Sequence, residues 1–114
     1  VLITVPQFKA KGRDSRRVID MQEIANALNL YHNNNQAYTI YTGYIEGTDS
    51  FSQALIADNT MKAVPRDPLN SQVGSVLYKY GYQSDDGRSF ILSFCMETNS
   101  IKGRNQGCNN QITP

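Results

Sequence analysis

One histidine, His32, and two cysteines, Cys95 and Cys108, are all that this 114-residue chain offers to a soft metal. Two thiols with no third ligand nearby make a poor zinc site, because structural zinc takes four ligands. The sequence also has no GxSxG, no HExxH, no phosphate-binding glycine loop and no metal-spaced cysteine set. The residue patterns that carry acyl transfer, zinc proteolysis and nucleotide binding are therefore missing, and the reading is a non-enzyme with no catalytic residue, metal or cofactor. Neither sign of charge dominates: eleven Lys and Arg oppose ten Asp and Glu, for a formal net charge of +1. Such a balance gives no reason to expect nucleic acid or a membrane surface as the main partner. His32, at the end of a helical stretch, reads as a partner for the helix dipole rather than as a general base. Ser15 lies among charged residues with nothing beside it to activate it. Asp85-Asp86-Gly87 puts two carboxylates in a tight turn, a pattern more often solvated than bound to a cation.

What is present fits one modest core. Hydrophobic residues make up 39% of the chain, with four Phe and seven Tyr, enough to fill one domain over residues 1–114 but not two. Residues 1–34 read as a long helix. Val18, Met21, Ala25 and Leu28 are spaced by three and four, Ile24 and Tyr31 widen the stripe, and Asp20, Glu23, Asn26 and Asn29 fall on the polar side. Upstream, Lys9, Lys11, Arg13, Asp14, Arg16 and Arg17 leave little to bury. Further upstream, Val1-Leu2-Ile3-Thr4-Val5 is apolar and is followed by Pro6-Gln7-Phe8. A stub this apolar on an otherwise polar helix reads as the last part of a longer buried segment. Pro6 would then kink or loosen that helix, since it lacks an N–H and clashes with the carbonyl four residues back; in a first turn it would be ordinary.

Asn33-Asn34-Asn35-Gln36 is the expected helix stop. Residues 35–73 read as a connection with aromatic anchors at Tyr38, Tyr41 and Tyr44. It includes one short helix capped by Asp49 or Ser50, with Phe51, Ala54, Leu55 and Ile56 on its apolar face. Residues 74–114 switch to period two. Val76–Tyr82 and Ser89–Met96 flank Ser84-Asp85-Asp86-Gly87, whose Asp-Gly pair signals an antiparallel hairpin. A third strand near Ser100–Lys102 or after Cys108 would complete a small sheet. Cys95 and Cys108 lie either side of a turn-rich segment containing Gly103, Asn105 and Gly107. The reading is a disulfide, with two free buried thiols as the alternative, and it implies an oxidising compartment.

The order of these parts resembles the type IV pilin and pseudopilin family. Val5-Pro6-Gln7-Phe8 looks like the point where that family's apolar half-helix gives way to the globular domain. The runs Arg13–Arg17, Asp20–Ile24 and Ala27–Tyr31, ending with Asn35 and Tyr38, are similar to the rest of its helix. Pro65-Arg66-Asp67-Pro68, followed by Tyr78-Lys79-Tyr80, looks like the approach to the sheet in the pseudopilin-like branch. The resemblance implies an α+β, pilin-like fold: a long N-terminal helix on a small antiparallel sheet with a C-terminal disulfide loop. It also implies a subunit anchored in the inner membrane before assembly and then displayed in an extracellular pilus at the cell surface. Its partners would be copies of itself, other pilins and the pilus assembly machinery. Val1, Leu2, Ile3, Val5, Pro6 and Phe8 would form the filament-assembly surface. Lys9, Lys11, Arg13, Arg16 and Arg17 would pair with acidic groups of neighbouring subunits rather than with nucleic acid, since Asp14 and Asp20 interrupt the cluster. The family's leader, cleavage-point residues and early glutamate find no match here, and the calcium loop of some pseudopilins is not evident.

Three functions fit this reading. The first is a structural subunit of a type IV pilus serving adhesion, twitching motility or DNA uptake. The second is a pseudopilin of a type II secretion system. The third is a minor pilin or surface binding module, which an exposed groove lined by Tyr38, Tyr41 and Tyr44 would favour over simple packing of those rings.

Overall fold

The computed structural model describes residues 5–114. Helix α1 (Val5–Asn35) has 31 residues, about 46 Å at 1.5 Å per residue, against a longest molecular dimension of 50 Å. It therefore runs nearly the length of the molecule, and the other elements pack along one side of it. Met21, Ile24, Ala25 and Leu28 are buried as their spacing requires, with Val18 and Tyr31 packed at the margins. Glu23, Asn26 and Asn29 face solvent, but Asp20 is buried, contrary to the expected polar face. The helix ends as the asparagine run predicts, although Gln36 rather than an asparagine takes the left-handed conformation, at φ 61°. Asn34 and Asn35 instead donate their side-chain amides to Asp58 at 3.0 Å each.

Helix α2 (Ser50–Ala57) starts at Asp49, whose carboxylate accepts from the Ser52 amide at 3.0 Å and the Ser52 hydroxyl at 2.7 Å. Phe51 and Leu55 from its inner face join the single cluster of buried apolar side chains. There Phe51 packs on Tyr82 with ring centroids 4.1 Å apart, and Tyr38 meets Phe90 edge-on at 4.8 Å.

The sheet departs from the expected layout in two ways. Strands β1 (Tyr41–Tyr44), β4 (Gly81–Ser84), β5 (Ile91–Met96) and β6 (Gly107–Ile112) form one antiparallel sheet in the order β1-β4-β5-β6. Its first strand thus comes from the segment read as a connection. Val76–Tyr82 is also not one strand. Residues Val76–Tyr78 form β3, which pairs with β2 (Ser71–Val73) in a separate hairpin. The break is a tight turn in which the Lys79 amide donates to the Leu77 carbonyl at 3.1 Å.

The β4–β5 hairpin forms where the Asp-Gly signal placed it, but its loop runs from Asp85 to Phe90. Ser84 widens it: the hydroxyl donates to the Ser89 carbonyl at 2.6 Å and accepts from the Gly87 amide at 3.2 Å. Gly87 has φ 75°, and a Cβ there would lie 2.9 Å from the Tyr38 carbonyl, so only glycine fits. Of the two places expected for a third strand, the one after Cys108 is used. Cys95 and Cys108 are joined as the spacing predicted, tying β6 to β5 beside an irregularity in the ladder between Phe94 and Met96.

Candidate functional site: the first turns and outer face of α1

The first described turn of α1 is exposed, and Pro6, Gln7 and Ala10 line a groove of about 480 Å³ with Tyr78, Glu97, Thr98, Asn99 and Gln106. Val5 is 67% exposed and Phe8 61%, while Pro6 lies between them in the same turn, also exposed. Val1, Leu2 and Ile3 lie outside the described residues. Two further apolar side chains are exposed on the same side of the helix, about 16 Å apart along it, with Gly12, Ser15, Gln22 and Asn26 exposed in the intervals. Ile19 and Leu30 are each 48% exposed, and Phe8, Ile19 and Leu30 are spaced by eleven. Eleven residues are about three helical turns, so the three side chains form a stripe drifting about 20° per step. That stripe lies opposite the face built from Met21, Ile24 and Leu28. Near its far end Leu30, Ala27 and Asn26 line a groove of about 560 Å³ with Met61. Sequence reasoning identified the stub but missed Ile19 and Leu30, whose signal was the eleven-residue spacing on the polar side.

The basic residues divide into two groups. Lys9 is exposed and Lys11 half-buried. Arg13 and Arg17 turn inward, which corrects the expectation that they serve neighbouring subunits. Arg17 is fully buried, with Nε and Nη2 on the Asp67 carboxylate at 2.8 and 3.0 Å and Nη1 on Asp14 at 2.9 Å and Glu97 at 2.7 Å. Its guanidinium also lies 5.0 Å from the Tyr78 ring centroid. Arg13 makes a bidentate pair with Glu97, both contacts at 2.6 Å. Asp14 accepts from the amides of Glu97 and Thr98, each at 2.9 Å, and from the Thr98 hydroxyl at 2.7 Å. The cluster thereby joins the middle of α1 to the Pro65–Pro68 segment and to the end of β5. Burial works against the Arg17 charge, but the three carboxylates outweigh it and keep the group protonated beyond its ordinary range. Burial likewise opposes ionisation of Glu97, yet hydrogen bonds from Arg13 and Arg17 hold its carboxyl below the usual carboxylate range.

Arg16 is also committed within the chain, its Nε 2.9 Å from Asp20. Asp20 accepts a second bond from the Tyr80 hydroxyl at 2.8 Å, and burial pushes its carboxyl up despite both partners. Burial, with the hydrogen bond to Asp20 next, pushes the Tyr80 hydroxyl up, so it remains a donor.

The three connection tyrosines do not share a groove. Tyr38 is buried against Phe90 and His32, Tyr41 donates to the Tyr44 carbonyl at 3.1 Å, and Tyr44 alone is well exposed. The packed arrangement holds for Tyr38. In the β4–β5 loop, Asp86 accepts from the Arg88 amide at 2.9 Å. Among the described residues no group of three or more His, Cys, Asp or Glu is arranged to hold a metal, and no helix is long and apolar enough to cross a membrane. The chain matches no protein-family model, no curated protein and no solved structure.

Proposed function

We propose that this chain is a structural subunit of a type IV pilus, polymerising through α1 into a surface filament used in adhesion, twitching motility or DNA uptake. The observation that carries the proposal is the row of uncovered apolar side chains, Val5, Phe8, Ile19 and Leu30, on the side of α1 away from its own core. Side chains of this size gain about 1.5–3 kcal/mol each on full burial, so a second helix laid along the row would be held by hydrophobic contact. The buried Arg17 cluster supports the same reading by fixing α1 rigidly to the sheet, so that a load on the helix passes into the domain. Secretion across an oxidising compartment agrees with the Cys95–Cys108 bridge.

The test is immunogold electron microscopy of native cells, with antibody to this domain, comparing the parent protein with Phe8→Asp and Ile19→Asp. Label along long surface fibres, lost in both variants while the subunit remains in the envelope, is the expected result. Label confined to fibre ends points to a minor pilin, and normal fibres without label point to a pseudopilin of a type II secretion system. Absence from every filament overturns the structural reading.

A further inference from the structure

The sheet face turned away from α1 carries a second feature, separate from the exposed side of the helix. Strand register puts Tyr44 opposite Gly81, Gly81 opposite Ser93 and Ser93 opposite Gln111, one row across all four strands. Thr42, Gln83 and Ile91 form the adjacent row. Alternation along the strands sends their neighbours Tyr82 and Leu92 into the core, so both rows lie on the open face.

Together the two rows line a trough of about 250 Å³. Gly81, opposite Ser93, leaves room for that hydroxyl at the middle of the trough, since a Cβ there would sit 2.5 Å from Ser93 Oγ. Tyr44 forms one wall, half exposed, with the Lys79 ammonium 5.5 Å from its ring centroid; that charge is itself paired with Glu46. No charged side chain lines the trough. Its polar groups are the Thr42 and Ser93 hydroxyls and the Gln83 and Gln111 amides. Gln83 reaches Asp85 at 3.4 Å, while the side chains of Thr42, Ser93 and Gln111 have no partner among the described residues.

We propose that this trough binds a neutral saccharide, with a sugar ring against Tyr44 and its hydroxyls on Ser93, Gln111, Thr42 and Gln83. Hydroxyls and amides both donate and accept, as sugar hydroxyls do, and so match them in either sense. A charged ligand would find no counter-charge in the trough, and an apolar one would leave its polar groups without partners. The phenol ring offers an apolar surface to the C–H face of a pyranose. The volume lies below the roughly 300–1,000 Å³ of pockets for drug-sized ligands, which limits the occupant to one ring or the end of a chain. This site does not depend on the filament reading and is tested on the free domain.

The experiment is a ¹H–¹⁵N NMR titration of the chain with millimolar lactose, maltose, mannobiose and N,N′-diacetylchitobiose. At least one sugar should shift the amides of Thr42, Tyr44, Gly81, Ser93 and Gln111 saturably. Tyr44→Ala and Gly81→Ala should each weaken that binding about tenfold or more, equivalent to about 1.4 kcal/mol. Gln111→Ala, on an exposed edge position that leaves the fold intact, should weaken it several-fold. The proposal is overturned if none of these sugars moves those amides, if the shifts map elsewhere, or if Tyr44→Ala and Gln111→Ala both titrate like the parent.

Discussion

Arg17 commits its donors to Asp14, Asp67 and Glu97, and none of the four groups is free to find another partner without moving an element. Breaking a buried ion pair from one side leaves an uncompensated charge, which costs about 3–5 kcal/mol. Arg17→Met should therefore lower the unfolding free energy by about that amount in urea titrations. A loss below about 1 kcal/mol would mean that the amide bonds to Asp14, together with the Leu69 amide bond to Asp67 at 2.8 Å, suffice alone. Glu97 sets the pH response. Its folded pKa lies below the unfolded value of about 4.3, so its stabilisation is complete above that value and is lost as pH falls through the folded pKa. Glu97→Gln should be destabilising at pH 7, and the gap from the parent should close below about pH 4. Asp20 acts in the opposite sense: its raised pKa makes the charged form a liability that protonation relieves. The sequence held a sign of this cluster. Positions 14, 17, 21, 24 and 28 continue one spacing of three and four, so Asp14 and Arg17 lie on the core face, but their polarity hid it. Nothing in the local pattern named Asp67 or Glu97, which are 50 and 80 residues from Arg17.

Among the elements, α2 and β6 show how much local chemistry decides. The Asp49 cap was legible because a carboxylate before an apolar helical run satisfies amides that the helix leaves open. Asp49→Ala should cost about 1 kcal/mol, within the 0.5–2 kcal/mol of such caps, read from thermal melts. Strand β6 sits at a sheet edge with β5 as its only neighbour in the sheet, and the Cys95–Cys108 bridge holds it there. A loop of about 15 residues closed by a disulfide contributes about 3 kcal/mol in the chain-entropy model. A Cys95→Ser/Cys108→Ser chain should lose about that much and exchange its β6 amides faster than those of β4. Equal protection in both strands would show that side-chain packing alone retains the edge. Strand β1 was not legible, because Tyr41-Thr42-Gly43-Tyr44 is short, contains a glycine and gains its identity only by pairing with β4.

Over the whole molecule, the inward turn of Arg13 and Arg17 changes what salt should do. Assembly that relied on all five basic residues would weaken steeply with ionic strength. With Arg13 and Arg17 committed inside the subunit, Lys9, Lys11 and the half-exposed Arg16, already paired with Asp20, are the cations of this group left for neighbours, and exposed pairs are worth about 1 kcal/mol at most. If the chain assembles as proposed, filaments sheared from cells should lose little length between low and high salt, while Phe8→Asp abolishes them. Dissolution by salt alone would return the weight to charge. By itself the sequence determined the long helix with its buried stripe, the capped short helix, the β4–β5 hairpin and the Cys95–Cys108 bridge. Each of these is written in spacings within one segment or in the pairing of the only two thiols. The tertiary structure alone decided that charged residues on α1 belong to the core, that a strand from the connection edges the sheet, and that Tyr44, Gly81, Ser93 and Gln111 meet on one open face. The physical reason is common to all three: a polar group's burial, an edge strand's partner and a row across a sheet depend on segments far apart in the chain, and no local period records which distant group supplies the opposing charge, hydrogen bond or neighbour.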